Sequence, residues 1–160
     1  VNGSLGQPDP ADSSHWFDSR FHRATGIPEA RLLGVATTET GIMTAAPYRA
    51  LKTDHWVFEG TGLRDGDVFG AASLHERVSG GASGHETDKM TRESPAGTVL
   101  LAKGLNPDEG GAEIVVFETP SGGGTFSVGS IVWPASLLVD DAISRITRNV
   151  LERFGGRGQS

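Results

Sequence analysis

The densest run of acid–base side chains in the sequence stands behind glycines: Gly80-Gly81-Ala82-Ser83-Gly84-His85-Glu86-Thr87-Asp88-Lys89. Glycine lets the backbone approach a ligand closely and take positive φ without strain. Acid–base groups carried on such loops are common at active sites. His85 and Glu86 have the right types for a general acid–base pair, since a carboxylate beside an imidazole can hold its tautomer. Neighbours on an extended segment point to opposite faces, however, so one of the two faces a site and the other faces away. Asp88 is two residues beyond Glu86 and can share its face, which would give paired carboxylates. The plain alternatives are a polar surface loop for His85-Glu86, and a cap or a salt bridge to Lys89 for Asp88.

Other candidates are thinner. His75-Glu76 lacks the second histidine of the helical His-Glu-x-x-His zinc pattern, and Gly80-Gly81 would break such a helix. A looser metal set of His75, His85 and Glu86 is allowed by ligand type. The glycines at 122–124 are not followed by Lys-Ser/Thr and join two strands, so they read as a hairpin loop. The stretch Ser130 to Ser136 lies between a core strand and the last helix, where α/β folds place ligand-facing loops. Trp133 there is either an aromatic platform or a plug over the helix start. Gly129-Ser130-Ile131 lacks the spacing of a nucleophile elbow. His55-Trp56 and Glu59 fit the alternation of a half-buried strand, and His15 and His22 fit an exposed helix face.

The elements that must position these residues are short. With 160 residues the chain suits one domain, and 23 glycines are about double the usual ~7% share, implying many tight turns. Residues 13–27 suggest a short helix capped by Asp12-Ser13-Ser14, with Trp16, Phe17 and Phe21 on one face. Arg31 to Thr38 reads as a buried strand opened by Pro28, residues 40–50 as irregular, and His55 to Glu59 and Val68 to Gly70 as weak strands. Strands are clearer at Thr98 to Lys103, at Ala112 to Thr119 and, across the 120–124 loop, at Thr125 to Val132. Val139, Ala142, Ile143, Ile146, Val150 and Phe154 form one helical stripe, with Asp140 or Asp141 as cap and Gly155-Gly156 as stop. Periodicity alone gives an α+β or incomplete α/β domain.

Composition narrows the function classes. A net charge of −6 with no long basic cluster argues against nucleic acid. The absence of cysteine excludes disulfides, thiolate metal sites and a cysteine nucleophile. No apolar run approaches a membrane span and no signal-peptide segment is apparent, so a soluble, cytoplasmic protein is expected. The chain begins with Val1, and its first fourteen residues have no hydrophobic period. Residues 1–24 are therefore expected to be a tail or linker of a longer protein, 25–154 one domain, and 155–160 a disordered tail. The 113–132 hairpin could form a sheet edge that pairs with a neighbouring chain.

Four stretches taken in order resemble one family. They are Gly26-Ile27-Pro28-Glu29-Ala30-Arg31-Leu32-Leu33-Gly34-Val35, Gly84-His85-Glu86-Thr87-Asp88-Lys89, Gly111 to Thr119, and Phe126 to Leu137 with the Ser144 to Leu151 helix. Across residues 25–154 they resemble the C-terminal part of the N,N-dimethylformamidase large (beta) subunit. The resemblance implies an α/β fold, the C-terminal portion of a glutamine-amidotransferase-like (flavodoxin-like) sandwich, strand-rich with a β-hairpin and a C-terminal helix. It implies hydrolysis of a small non-peptide amide C–N bond, with iron held by two tyrosines and a glutamate. This chain has one tyrosine, Tyr48, without a matching motif, so the iron ligands are expected outside it and no metal ligand is assigned here. Gly84, Glu86, Asp88 and Lys89 match the family's Gly-x-Glu-x-Asp segment and its following basic residue. Glu86 is thereby the expected catalytic carboxylate, with Glu59 its rival, and His85, Asp88, Trp133 and Ser136 are the expected substrate-binding residues. Expected partners are a small amide substrate, an upstream domain of the same polypeptide, and a small subunit or second copy. The competing reading is a non-catalytic module of the same fold that binds a ligand or packs on a subunit.

Overall fold

The computed structural model describes residues 26–156. It starts with one helical turn, α1 (Ala30–Leu33), ended by Gly34 in the left-handed region at φ 80°. The strand expected over Arg31 to Thr38 is thus corrected in its first half. Behind Pro28 the good helix formers Ala-Arg-Leu-Leu wind up, and only β1 (Ala36–Thr37) is extended. Residues 13–25, with His15 and His22, lie outside the described residues.

The irregular reading of 40–50 is also corrected. It holds β2 (Ala45–Ala46) and β3 (Tyr48–Ala50), and β3 is central to the fold. Residues 55–59 are not a strand. They form a 3₁₀ turn, Trp56–Phe58, because His55 Nδ1 accepts the Val57 amide at 3.4 Å and caps it. Then follow β4 (Val68–Phe69), β5 (Ser83–Gly84), β6 (Asp88–Lys89), β7 (Val99–Gly104), β8 (Glu113–Glu118) and β9 (Gly124–Ser127). A second 3₁₀ turn, Trp133–Ser136, leads to α2 (Asp141–Phe154).

The main sheet has the order β4-β3-β7-β8-β9, flanked by the small pairs β1-β6 and β2-β5. Every pairing among the described residues is antiparallel. This is a mixed α/β fold built from antiparallel sheets, with the expected β8–β9 hairpin and C-terminal helix. The parallel sheet of a flavodoxin-like sandwich does not occur among residues 26–156. Strand β9 ends at Ser127, short of the expected Val132, because the chain then turns away to build a cleft wall.

Helix α2 closes the core. Ile143, Ile146 and Val150 are buried against Tyr48, Phe69, Leu101 and Ile114, each worth about 1.5–3 kcal/mol relative to exposure. Asp140 caps the helix through Oδ1, which accepts the Ile143 amide at 3.0 Å. Its Oδ2 accepts the Gly70 amide at 2.9 Å, so the same carboxylate ties the helix start to the end of β4. Asn149 donates to the Val57 and Glu59 carbonyls and locks the first 3₁₀ turn onto α2. Among the described residues no helix is long and apolar enough to cross a membrane.

Candidate functional site

The short strand β6 and the residues before it carry the carboxylates. An isolated bridge between Gly84 and Glu86 makes the β5–β6 connection very tight. His85 stands at its tip in the left-handed region, φ 67°, a conformation uncommon for a non-glycine residue. It is held there by the Met43 amide on its carbonyl at 2.9 Å and by its own amide on the Thr44 carbonyl at 3.0 Å. His85 does not line the cleft that Glu86 lines, and this follows from the turn, since the segment is not extended at His85. The His85 ring meets His75 edge to face, with centroids 5.5 Å apart. Its Nδ1 is buried without a hydrogen-bond partner, while His75 Nδ1 accepts the Val78 amide at 3.1 Å.

Glu86 and Asp88 do share a face. Both line a cleft of about 260 Å³ whose other walls are Leu33 and Val35 on one side and Ser127 to Ile131 on the other. Its second wall is fixed by backbone pairing: the Asp88 amide donates to the Gly129 carbonyl at 2.8 Å, and Thr87 bridges to Ser130. Gly129 lies at φ 61°, and a Cβ there would come within 2.6 Å of the Asp88 carbonyl oxygen and 2.9 Å of that of Glu113. Glycine is therefore required where the strand leaves the sheet. On the other side Ser127 Oγ donates to the Leu33 carbonyl at 2.6 Å, which holds α1 against β9.

Asp88 is half-buried. Its Oδ1 accepts the Thr37 hydroxyl at 2.9 Å. Burial pushes its carboxyl above the ordinary range, opposed by the Thr37 hydrogen bond and reinforced by Glu29 and Glu86. Lys89 does not form the salt bridge that was the plain alternative for Asp88. Its ammonium points the other way, onto the Thr38 hydroxyl, the Thr40 carbonyl at 3.0 Å and Thr87 Oγ1 at 3.3 Å. Burial holds Lys89 below the usual lysine range, with Glu113 and Asp88 pulling back up.

The remaining sequence candidates lie elsewhere. Trp133 is buried, its indole donating to Thr147 Oγ1 at 3.1 Å and its ring standing edge-on to Tyr48 at 5.7 Å. Ser136 is fully buried, with no partner for its hydroxyl. Neither lines the cleft. Glu59 follows the first 3₁₀ turn and is likewise absent from it. A larger depression of about 400 Å³ lies between the hairpin glycines, Glu118, Arg153 and Phe154, and includes none of the sequence candidates.

Residues 5–146 match the family described as N,N-dimethylformamidase beta subunit-like, C-terminal. The chain belongs to this family. It is 32% identical over 143 aligned residues to the N,N-dimethylformamidase beta subunit of Paracoccus aminophilus, covering 72% of this chain and 18% of that protein. The beta subunit of the same name from an Alcaligenes species is also 32% identical, over 127 residues, covering 62% of this chain and 16% of the relative. The chain thus spans less than a fifth of the length of these relatives.

The iron implied by the dimethylformamidase resemblance does not fit the residues present. Tyr48 is fully buried, its hydroxyl donates to the Val128 carbonyl at 2.7 Å, and burial pushes the phenol far above its ordinary range. It serves as a neutral core hydroxyl, not as a phenolate ligand. No group of three or more His, Cys, Asp or Glu side chains gathers to hold a metal among the described residues. The looser set of His75, His85 and Glu86 is therefore not assembled.

Sequence reasoning missed the residues that build the cleft. Thr37 lies 51 positions from Asp88. Ser130 Oγ accepts the Gly84 amide at 2.9 Å and donates to the Ala82 carbonyl at 2.8 Å, across a similar span. The Gly-Ser pair at 129–130 was the signal available, but rejecting it as a nucleophile elbow left its role as a strand anchor unread.

Proposed function

We propose that this chain is the C-terminal domain, over residues 25–154, of an N,N-dimethylformamidase-like amidohydrolase acting on a small non-peptide amide. The reading is carried by two residues of the family-like Gly-x-Glu-x-Asp segment, Glu86 and Asp88, lining one cleft together with the apolar side chains of Leu33, Val35, Val128 and Ile131. Such walls suit the alkyl groups of a small tertiary amide, and the carboxylates suit the proton transfers of hydrolysis. Glu86 is exposed and next to bulk water, as a base that accepts a proton from attacking water should be. Iron, where the full-length protein holds it, takes its ligands from outside this chain. The upstream polypeptide and a small subunit or second copy are the proposed partners, in the cytoplasm.

The test is Glu86→Gln in the full-length protein with a dialkylformamide as substrate. We expect kcat to fall by roughly 10²-fold or more, the range typical of a lost acid–base group, with an unchanged melting temperature. Unchanged turnover would remove Glu86 from the chemistry. A second reading, a packing module, is favoured by large apolar side chains left in solvent, among them Leu138 at 88% and Leu74 at 60% exposure. It predicts that Leu138→Asp weakens subunit association while Glu86→Gln does nothing.

A further inference from the structure

We infer that Asp88 is the proton-holding carboxyl of the cleft, giving its proton to the departing nitrogen while Glu86 takes one from the attacking water. This assignment rests on the proposed amidohydrolase reading and gives the two carboxylates distinct roles within it.

The geometry makes them unequal. Both stand on one face of the segment leading through β6, but Glu86 is exposed and Asp88 half-buried. Asp88 Oδ1 is occupied by the Thr37 hydroxyl, and Oδ2 makes no hydrogen bond among the described residues. That leaves one oxygen to carry a proton. The one cation next in sequence, Lys89, is drawn off by three threonine-region oxygens on the opposite face. Asp88 consequently has no ion-pair partner among the described residues. Besides burial, the groups that act on it are the Thr37 hydroxyl, Glu29 at the start of α1, Glu86 and, in the opposite sense to the two glutamates, Lys89. Two of these are like charges, and burial works in the same direction, so the carboxyl is held above the ordinary aspartate range.

The step balances with water as the sole co-reactant. Water oxygen bonds to the carbonyl carbon as its proton passes to the Glu86 carboxylate. The C–N bond then breaks as the Asp88 proton moves to nitrogen, releasing a carboxylic acid and a neutral amine. Glu86 returns its proton to Asp88 through the cleft, and the pair is reset.

Two measurements test this. In carbon-detected NMR titration of the chain, Asp88 should titrate above the ordinary ~3.9 of an aspartate, and Glu86→Gln should bring it down. Titration at or below that value overturns the assignment, whatever the enzyme's activity. In the full-length protein, Asp88→Asn should slow a dialkylamide by roughly 10²-fold or more, yet slow an activated ester, whose leaving group needs no proton, by less than about tenfold. Equal losses on both substrates would make Asp88 a structural residue and overturn the proposal. Turnover of neither substrate by the unaltered protein would instead defeat the hydrolase reading, and this assignment with it.

Discussion

Asp88 and Gly129 meet at one backbone hydrogen bond, and each constrains the other. A methyl group on Gly129 would collide with the carbonyl oxygens of Asp88 and Glu113, at a φ that side chains rarely adopt. Gly129→Ala should therefore cost about 1–3 kcal/mol for the strained backbone alone, read as a lower denaturation midpoint, and should loosen the Asp88 wall. The titration of Asp88 gives a second prediction at this scale. Its pKa is raised on folding, so the folded state holds the proton more tightly than the unfolded one. The stabilisation is full below the ordinary aspartate pKa and is lost as pH rises through the raised value. The melting temperature of the unaltered protein should thus decline across that window, and Asp88→Asn should flatten the decline. A profile unaffected by Asp88→Asn would mean that the group is not perturbed. The shared face of Glu86 and Asp88 was legible from alternation alone, because side-chain period is a local property. The Thr37 hydroxyl and the positive φ of His85 were not, since both follow from pairings with residues far away in sequence.

Elements were legible in proportion to their length. The fourteen residues of α2 and the six-residue strands β7 and β8 carry enough period to be found unaided. The two-residue strands β5 and β6, on either side of Glu86, are too short to be identified as strands by period. The apolar run after Pro28 shows the ambiguity of short apolar segments, which pattern cannot assign to helix or strand. Helix α2 also offers the sharpest test at this scale. Asp140 both caps it and accepts from Gly70, so Asp140→Ala removes a cap worth about 0.5–2 kcal/mol and strands a second amide. Because the helix is packed against the sheet through Ile143 and Ile146, the loss should appear as global destabilisation with an unchanged helix signal at low temperature. Asp140→Asn, which keeps both acceptor positions only in part, should fall between the two. A fully preserved melting temperature in Asp140→Ala would show that the helix start is held by packing alone.

At the scale of the described residues, a line of contacts connects α2 to the cleft. Thr147 of α2 receives the Trp133 indole, Trp133 stands edge-on to Tyr48, and the Tyr48 hydroxyl donates to Val128, which lines the cleft. This explains how Trp133, between the last strand and the last helix, lies outside the cleft yet bears on it. Trp133 acts from behind, through the one tyrosine of the chain. Tyr48→Phe preserves the ring packing and deletes only the hydrogen bond, leaving the Val128 carbonyl without its donor. The expected cost is about 1–3 kcal/mol, the range for a buried acceptor left unsatisfied. More telling is where the loss should be felt. Hydrogen exchange should accelerate in residues 128–131 while β7, β8 and α2 keep their protection, and Asp88, bonded to Gly129 in that wall, should shift in its carboxyl titration. Uniform acceleration across the sheet would mean that the hydroxyl stabilises the core as a whole and that the cleft wall has no separate hold on it.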